Sequence, residues 1–134
     1  SFRLKKDNKI KINTSPMTKE LCRIVVSRSH QSKEDSRLIK EAGRNFKKVK
    51  ILKAGSSLKL CLVAEGLADI YPRLGPTYQW DIAAGQAVLE YAGGKVRTFS
   101  DNKISYSFDH KKKNEEFLAL GDDNHNWLRT FIKN

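Results

Sequence analysis

The chain has 134 residues, enough for one hydrophobic core and too few for two. Hydrophobic residues at 39% and charged residues at 31% are those of a globular domain, and no apolar run approaches the ~20 residues that a membrane helix needs. The net charge of +11 lies wholly in residues 1–53, with sixteen Lys/Arg against five Asp/Glu, while the remainder holds ten against ten; this points to an anionic partner or to a Lys-rich solvated face.

Taken in chain order, residues 1–18 alternate weakly at Lys9-Ile10-Lys11-Ile12 and end in Asn13-Thr14-Ser15-Pro16, which predicts an edge strand and a linker. Leu21 to Val26 is a buried strand closed by the polar Ser27-Arg28-Ser29-His30. Asp35 to Ala42 has helical spacing, with Leu38, Ile39 and Ala42 on one face and Gly43 as its stop. Phe46 to Leu52 alternates Lys with Val and Ile and predicts a strand. Ser56 and Ser57 are expected to cap a helix reaching Glu65, with Leu58, Cys61 and Leu62 inward and Gly66 ending it.

Ala68 to Tyr71 is a short strand, and Pro72 to Gln79 a loop. A helix follows over Asp81 to Tyr91, with Ala84, Ala87, Val88 and Tyr91 at i, i+3, i+4 and i+7, and Gly93-Gly94 ends it. Lys95–Thr98 and Phe117–Leu120 are strands around an exposed Lys111–Asn114 loop. Asp122-Asp123-Asn124 is expected to cap a closing helix that docks Trp127, Leu128, Phe131 and Ile132 on the sheet. Strands alternating with helices predict an α/β fold, a mixed sheet layered with helices. Cys22 and Cys61, in apolar surroundings and without CxxC spacing, read as reduced core residues.

Three segments could carry chemistry. Asp81 follows Trp80 and precedes Ile82-Ala83-Ala84-Gly85, side chains small enough to let a ligand approach the helix backbone. A lone Asp there is most often a helix cap, but it also suits a hard divalent cation such as Mg²⁺, for which one carboxylate is an incomplete site. Ser56, Ser57 and Lys59 could receive a phosphate, though Gly55-Ser56-Ser57-Leu58-Lys59 lacks the spacing of a Walker A loop. Ser27 to His30 ends a buried strand, where open α/β sheets gather ligands, and Arg73 adds a cation ahead of Asp81. Only Phe2 and Phe46 are aromatic in the basic part, too few for a single-strand stacking platform.

The order of these segments is more specific than any one of them. Gly55-Ser56-Ser57-Leu58-Lys59, Asp69-Ile70-Tyr71-Pro72-Arg73, Gly75-Pro76-Thr77 and Trp80-Asp81-Ile82-Ala83-Ala84-Gly85 together resemble the bacterial CysQ branch of the 3'(2'),5'-bisphosphate nucleotidases, within the inositol monophosphatase superfamily. Val25-Val26-Ser27-Arg28-Ser29-His30 and Ala92-Gly93-Gly94 fit the same pattern, so the resemblance spans about residues 20–121. It implies Mg²⁺-dependent hydrolysis of adenosine 3',5'-bisphosphate to AMP and phosphate, with Asp81 as metal ligand and catalytic residue. Ser27, His30, Gly55, Ser56, Lys59, Arg73 and Asp81 would bind the substrate.

The acidic Gly-Glu-Glu and Asp-Pro-Leu-Asp-Gly-Thr segments of the family's earlier lobe do not occur in these residues. The chain therefore resembles a C-terminal lobe, residues 19–134, with 1–18 as the tail of an N-terminal lobe or a linker, and it is expected to be inactive by itself. That N-terminal lobe is the expected protein partner; no nucleic acid is. The implied setting is a bacterial cytoplasm, with association at the inner membrane left open. An inositol or sugar phosphate is the alternative substrate, and a basic nucleic-acid-binding module ranks third because it leaves Trp80–Gly85 unexplained.

Overall fold

The computed structural model describes residues 1–29 and 32–131. Its centre is a five-stranded mixed sheet in the order β4-β3-β5-β9-β7. β3 (Leu21–Ser27), β4 (Lys48–Ala54) and β5 (Ile70–Arg73) are parallel, whereas β9 (Phe117–Leu120) runs antiparallel to both β5 and β7 (Lys95–Thr98). The apolar runs of β3 and β9 explain why they are interior: Ile24, Val25, Phe117 and Leu118 are wholly buried, packed from both faces.

Each face has its own core. Cys22, Ile24 and Val26 point to the layer of α1 (Lys33–Asn45) and α4 (Trp127–Phe131), where Leu38, Phe46, Trp127 and Phe131 gather. Val25, Tyr71, Phe117 and Ala119 point to α2 (Leu58–Ala64) and α3 (Gln79–Tyr91), meeting Leu60, Val63, Ile82 and Leu89. The expected α/β fold is therefore present. The two cysteines are unlinked, Cys22 buried and Cys61 half-buried. No described helix is long and apolar enough to cross a membrane.

Several local expectations are corrected. Residues 1–18 do not add an edge strand to the sheet; they form a separate hairpin, β1 (Phe2–Lys5) with β2 (Asn8–Lys11), turned by Lys6 and Asp7, both at φ 43°. Gly43 does not stop α1, which runs from the Ser32/Asp35 capping box through Asn45 to Phe46 at its C-cap. The next strand, β4, begins two residues later than expected, because Phe46 turns into the core. Pro72 and Arg73 belong to β5, and Thr77–Tyr78 (β6) pairs with Lys113–Asn114 (β8) where two loops were expected.

Helix faces also differ. In α2 the buried residues are Lys59, Leu60, Val63 and Ala64, while Leu58 is half exposed. In α3 they are Ile82, Gly85, Gln86 and Leu89; Ala84, Ala87 and Tyr91 face outward. Both helices are apolar or small around most of their circumference, so spacing alone offers two faces. The Asp122–Asn124 cap is replaced by Asn126, whose Oδ1 accepts the Arg129 N–H at 3.0 Å. Ile132 lies outside the described residues. Gly66 and Gly93 end α2 and α3 as expected, at φ +71° and +101°. At Gly66 the Leu67 N–H reaches back to Leu62 O, at Gly93 the Gly94 N–H to Leu89 O, each at 3.0 Å.

Candidate active site

β3 and β5 both deliver their C-terminal ends, Ser27 and Arg73, to the same edge of the sheet, where α2 and α3 begin. There a cleft of about 240 Å³ is lined by Ser27, Ser56, Ser57, Lys59, Tyr71, Arg73 and Asp81, with Leu60, Thr77 and Ile82 as its remaining wall. Five of the seven substrate-binding residues that the resemblance implies thus converge, from β3, β5, α2, α3 and the turn before α2. Gly55 stands beside the cleft without lining it, and His30 lies outside the described residues.

Lys59 is the unusual member. Only 3% of it is exposed, and among the described residues no carboxylate lies within ion-pairing distance. Its Nζ sits 5.2 Å from the centroid of the Tyr71 ring. Burial, and next the Arg73 charge, hold the Lys59 pKa below the usual lysine range. Arg73 has no carboxylate partner among the described residues either: its side chain meets the Tyr71 hydroxyl, Nη2 donates a long 3.3 Å bond to Pro76 O, and the buried Nε has no partner there. Burial pushes the Tyr71 phenol up, with the adjoining Arg73 opposing that rise. Two incompletely satisfied cations around one concavity are an arrangement for capturing an anion.

Ser56 adopts φ 54°, a left-handed turn unusual for a side chain with a Cβ. Neither Ser56 nor Ser57 makes the expected side-chain cap, since α2 has no side-chain cap bond. Asp81 is the third residue of α3 rather than its cap, and Oδ2 accepts the Tyr78 N–H at 2.8 Å. Among the described residues no hydrogen bond or ion pair engages Oδ1, and Asp81 is exposed. Asp81 therefore fits Mg²⁺ as a single ligand with one oxygen to give. No described cluster of three metal-ligating side chains exists to complete a site.

Of the small residues after Asp81, Gly85 serves packing, while Ala84 faces outward. Ala83, Ala84 and Gly85 do not line the cleft. Gly85 is pressed under α2, where a Cβ would fall 2.5 Å from Leu60 Cδ1 and 3.1 Å from Leu60 Cβ. Gly85 thus sets how closely the helix carrying Asp81 approaches the helix carrying Lys59. Tyr71 was not among the predicted site residues; its signal was its place two residues before Arg73 on a strand, hence on the same face.

The profile of the inositol monophosphatase family matches residues 3–128. The chain belongs to the inositol monophosphatase family. It is 44% identical over 104 residues to the 3'(2'),5'-bisphosphate nucleotidase CysQ of Buchnera aphidicola, covering 78% of this chain and 37% of that protein. With CysQ of Escherichia coli it shares 43% identity over 98 residues, 73% of this chain and 36% of the relative. The solved structure of CysQ from Bacteroides thetaiotaomicron superposes with a TM-score of 0.74 at 33% identity, over 84% of this chain and 41% of that one. The chain spans somewhat over a third of the length of the curated nucleotidases it matches here.

Proposed function

We propose that this chain is the nucleotide-binding lobe of a Mg²⁺-dependent 3'(2'),5'-bisphosphate nucleotidase that converts adenosine 3',5'-bisphosphate to AMP and phosphate. The observation that carries this reading is the pair Lys59 and Arg73, cations without carboxylate partners among the described residues, sharing a cleft with one available carboxylate, Asp81. The names of the relatives above supply its substrate class. Lys59 and Arg73 bind the phosphate that does not react, the Ser27 and Ser56 hydroxyls bond the nucleotide, and His30 and the Gly55 backbone complete its binding. Asp81 offers Oδ1 to Mg²⁺ while Tyr78 fixes Oδ2. Bound Mg²⁺ supplies Lewis acidity at the scissile phosphate, so no covalent nucleophile is required. The other metal ligands come from a preceding acidic lobe, against which the basic part of this chain is complementary. A reducing cytoplasm suits the two free thiols.

The test is phosphate release by the full-length protein with Mg²⁺, comparing adenosine 3',5'-bisphosphate with inositol 1-phosphate. Preference for the bisphosphate is expected. Asp81→Asn should lower turnover by about 100-fold or more, since even outer-shell losses at metal sites cost 10–100-fold, while thermal unfolding stays put. Equal use of inositol 1-phosphate would overturn the substrate assignment, and wild-type turnover of Asp81→Asn would leave Asp81 only its bond to the Tyr78 N–H at the start of α3.

A further inference from the structure

The Lys59 ammonium needs something to hold it. A lysine has a flexible four-carbon stem and about 2 kcal/mol of rotamer entropy, so a charge lacking an acidic partner at the end of it is poorly aimed. Here the ammonium lies 5.2 Å from the centroid of the Tyr71 ring and feels the repulsion of Arg73. The ring itself is fixed. Tyr71 is 5% exposed, sits in β5 opposite Ala119 of β9, and receives the Phe117 ring edge-on at 5.8 Å and 88°.

From this geometry we infer that Tyr71 is a positioning residue, whose ring face holds the Lys59 ammonium in the cleft ready to meet the non-reacting phosphate. The inference rests on the nucleotidase reading only for the identity of the anion. A ring quadrupole attracts a desolvated cation without neutralising it, which an Asp or Glu in the same place would do. Lys59 thus stays available to a phosphate, and the ordering that binding would otherwise require is already in place before the ligand arrives. Tyr71 need not touch substrate for this. Its hydroxyl also meets Arg73, a contact that Tyr71→Phe removes while the ring stays over Lys59.

Calorimetric titration of the full-length protein with adenosine 3',5'-bisphosphate, and separately with inorganic phosphate, tests the coupling. Tyr71→Phe keeps the ring and should stay within about threefold of wild type, whereas Tyr71→Leu should weaken binding about 3- to 30-fold. In a Lys59→Met background, Tyr71→Leu should have no effect beyond that of Tyr71→Phe, which already lacks the hydroxyl contact with Arg73. A merely structural tyrosine would give the same loss with or without Lys59, and that additive result overturns the inference. If the bisphosphate binds no better than phosphate while the cycle remains coupled, the nucleotidase reading fails and the role of Tyr71 stands. If the bisphosphate binds tightly while the cycle is additive, the nucleotidase reading stands and the role of Tyr71 fails. Wild-type protein that binds neither anion overturns both. Should Tyr71→Leu not fold, lysine Cε–Hε resonances of the unsubstituted protein decide, with Lys59→Arg identifying the signal. An upfield ring-current shift of Lys59 is expected, and a Lys59 signal at the ordinary lysine position overturns the inference.

Discussion

At the start of β3 and β5, Arg23 is closed on every side: Nη2 and Nε bond the two oxygens of Asp69 at 2.6 and 3.0 Å, Nη1 bonds Gly66 O at 2.7 Å, and its own N–H also reaches Asp69. Four residues after Asp69 in β5, roughly 13 Å at strand rise, Arg73 has a buried Nε without a partner, and the neighbouring Lys59 has no acid beside it among the described residues. The contrast extends to proton affinity. Asp69 holds the Arg23 pKa above its ordinary value, while burial and Arg73 hold that of Lys59 below its own. One end of the parallel strands uses charge to hold the chain together; the other leaves charge unsatisfied, at the strand ends where open α/β sheets bind ligands.

The largest effect should come from the closed end. Asp69→Ala leaves Arg23, with 23% of its side chain exposed, without its counter-charge and strands its N–H, and should destabilise the fold by about 3–5 kcal/mol in urea unfolding. A loss below about 1 kcal/mol would mean that this end is held by apolar packing and the contrast is false.

At the open end the same type of change should act on binding and spare the fold. Lys59→Ala removes a desolvated cation without a carboxylate partner, so stability should hold or rise, while affinity for adenosine 3',5'-bisphosphate in the full-length protein falls by about 1.5–3 kcal/mol. The pH dependence follows from the sign of the shift. The free protein surrenders the Lys59 proton at a lower pH than an ordinary lysine, and a bound phosphate favours the charged form and pulls it back up. Affinity should therefore decline as pH rises through the lowered value, with proton uptake on binding in that range, and Lys59→Arg should move the decline to higher pH. A pH profile of affinity that Lys59→Arg leaves unmoved, with no proton uptake on binding, would place Lys59 away from the anion.

How much of this was legible in the sequence varies with the physical origin of each feature. The strands β3 and β9 were readable as short apolar runs, and Gly66 and Gly93 as helix stops. The hairpin was not, because its Lys6-Asp7 turn lacks the glycine that announces such turns, and Lys9 to Ile12 alternates like an ordinary edge strand. The inward faces of α2 and α3 were misread because Leu58, Leu60, Cys61 and Leu62 offer apolar neighbours in every direction, and only the sheet decides which are buried. Ser27, Ser56, Lys59, Arg73 and Asp81 converge as their order along the chain suggested. Tyr71 reads as a core aromatic until Lys59 is seen over its ring. Gly85, read as a place for a ligand, proves to be a place for Leu60.

The open end also depends on how closely two helices approach. Gly85→Ala should cost about 1–3 kcal/mol by overpacking against Leu60, partly offset by the roughly 1 kcal/mol that alanine gains over glycine within a helix. By moving α2 relative to α3 it should also weaken bisphosphate binding. Trimming the opposing side chain in Gly85→Ala/Leu60→Ala should recover binding even though the core then loses apolar contact. A double variant no better than the single one would show that the spacing of these helices is not what Gly85 provides.

The smallest effect should come from cations that belong to neither end. Lys111, Lys112 and Lys113 are exposed and take part in no ion pair among the described residues; the first two precede β8, Lys113 opens it opposite Tyr78, and none lines the cleft. Their attraction for a bound phosphate passes through solvent, where charge is screened over about 8 Å at physiological salt. Replacing all three by alanine should change bisphosphate affinity by no more than about 0.5 kcal/mol, as for surface changes away from special contacts, and should leave the Asp69 end untouched. The same calorimetric titration that measures Lys59→Ala measures this variant. If the triple substitution costs as much affinity as the single Lys59→Ala, the anion responds to the summed positive charge of the lobe, and the directed pair Lys59 and Arg73 is not the binding site. If it costs little at about 0.15 M salt and more at low salt, the loop contributes only to long-range attraction, and the unsatisfied cations at the ends of the strands carry the specificity.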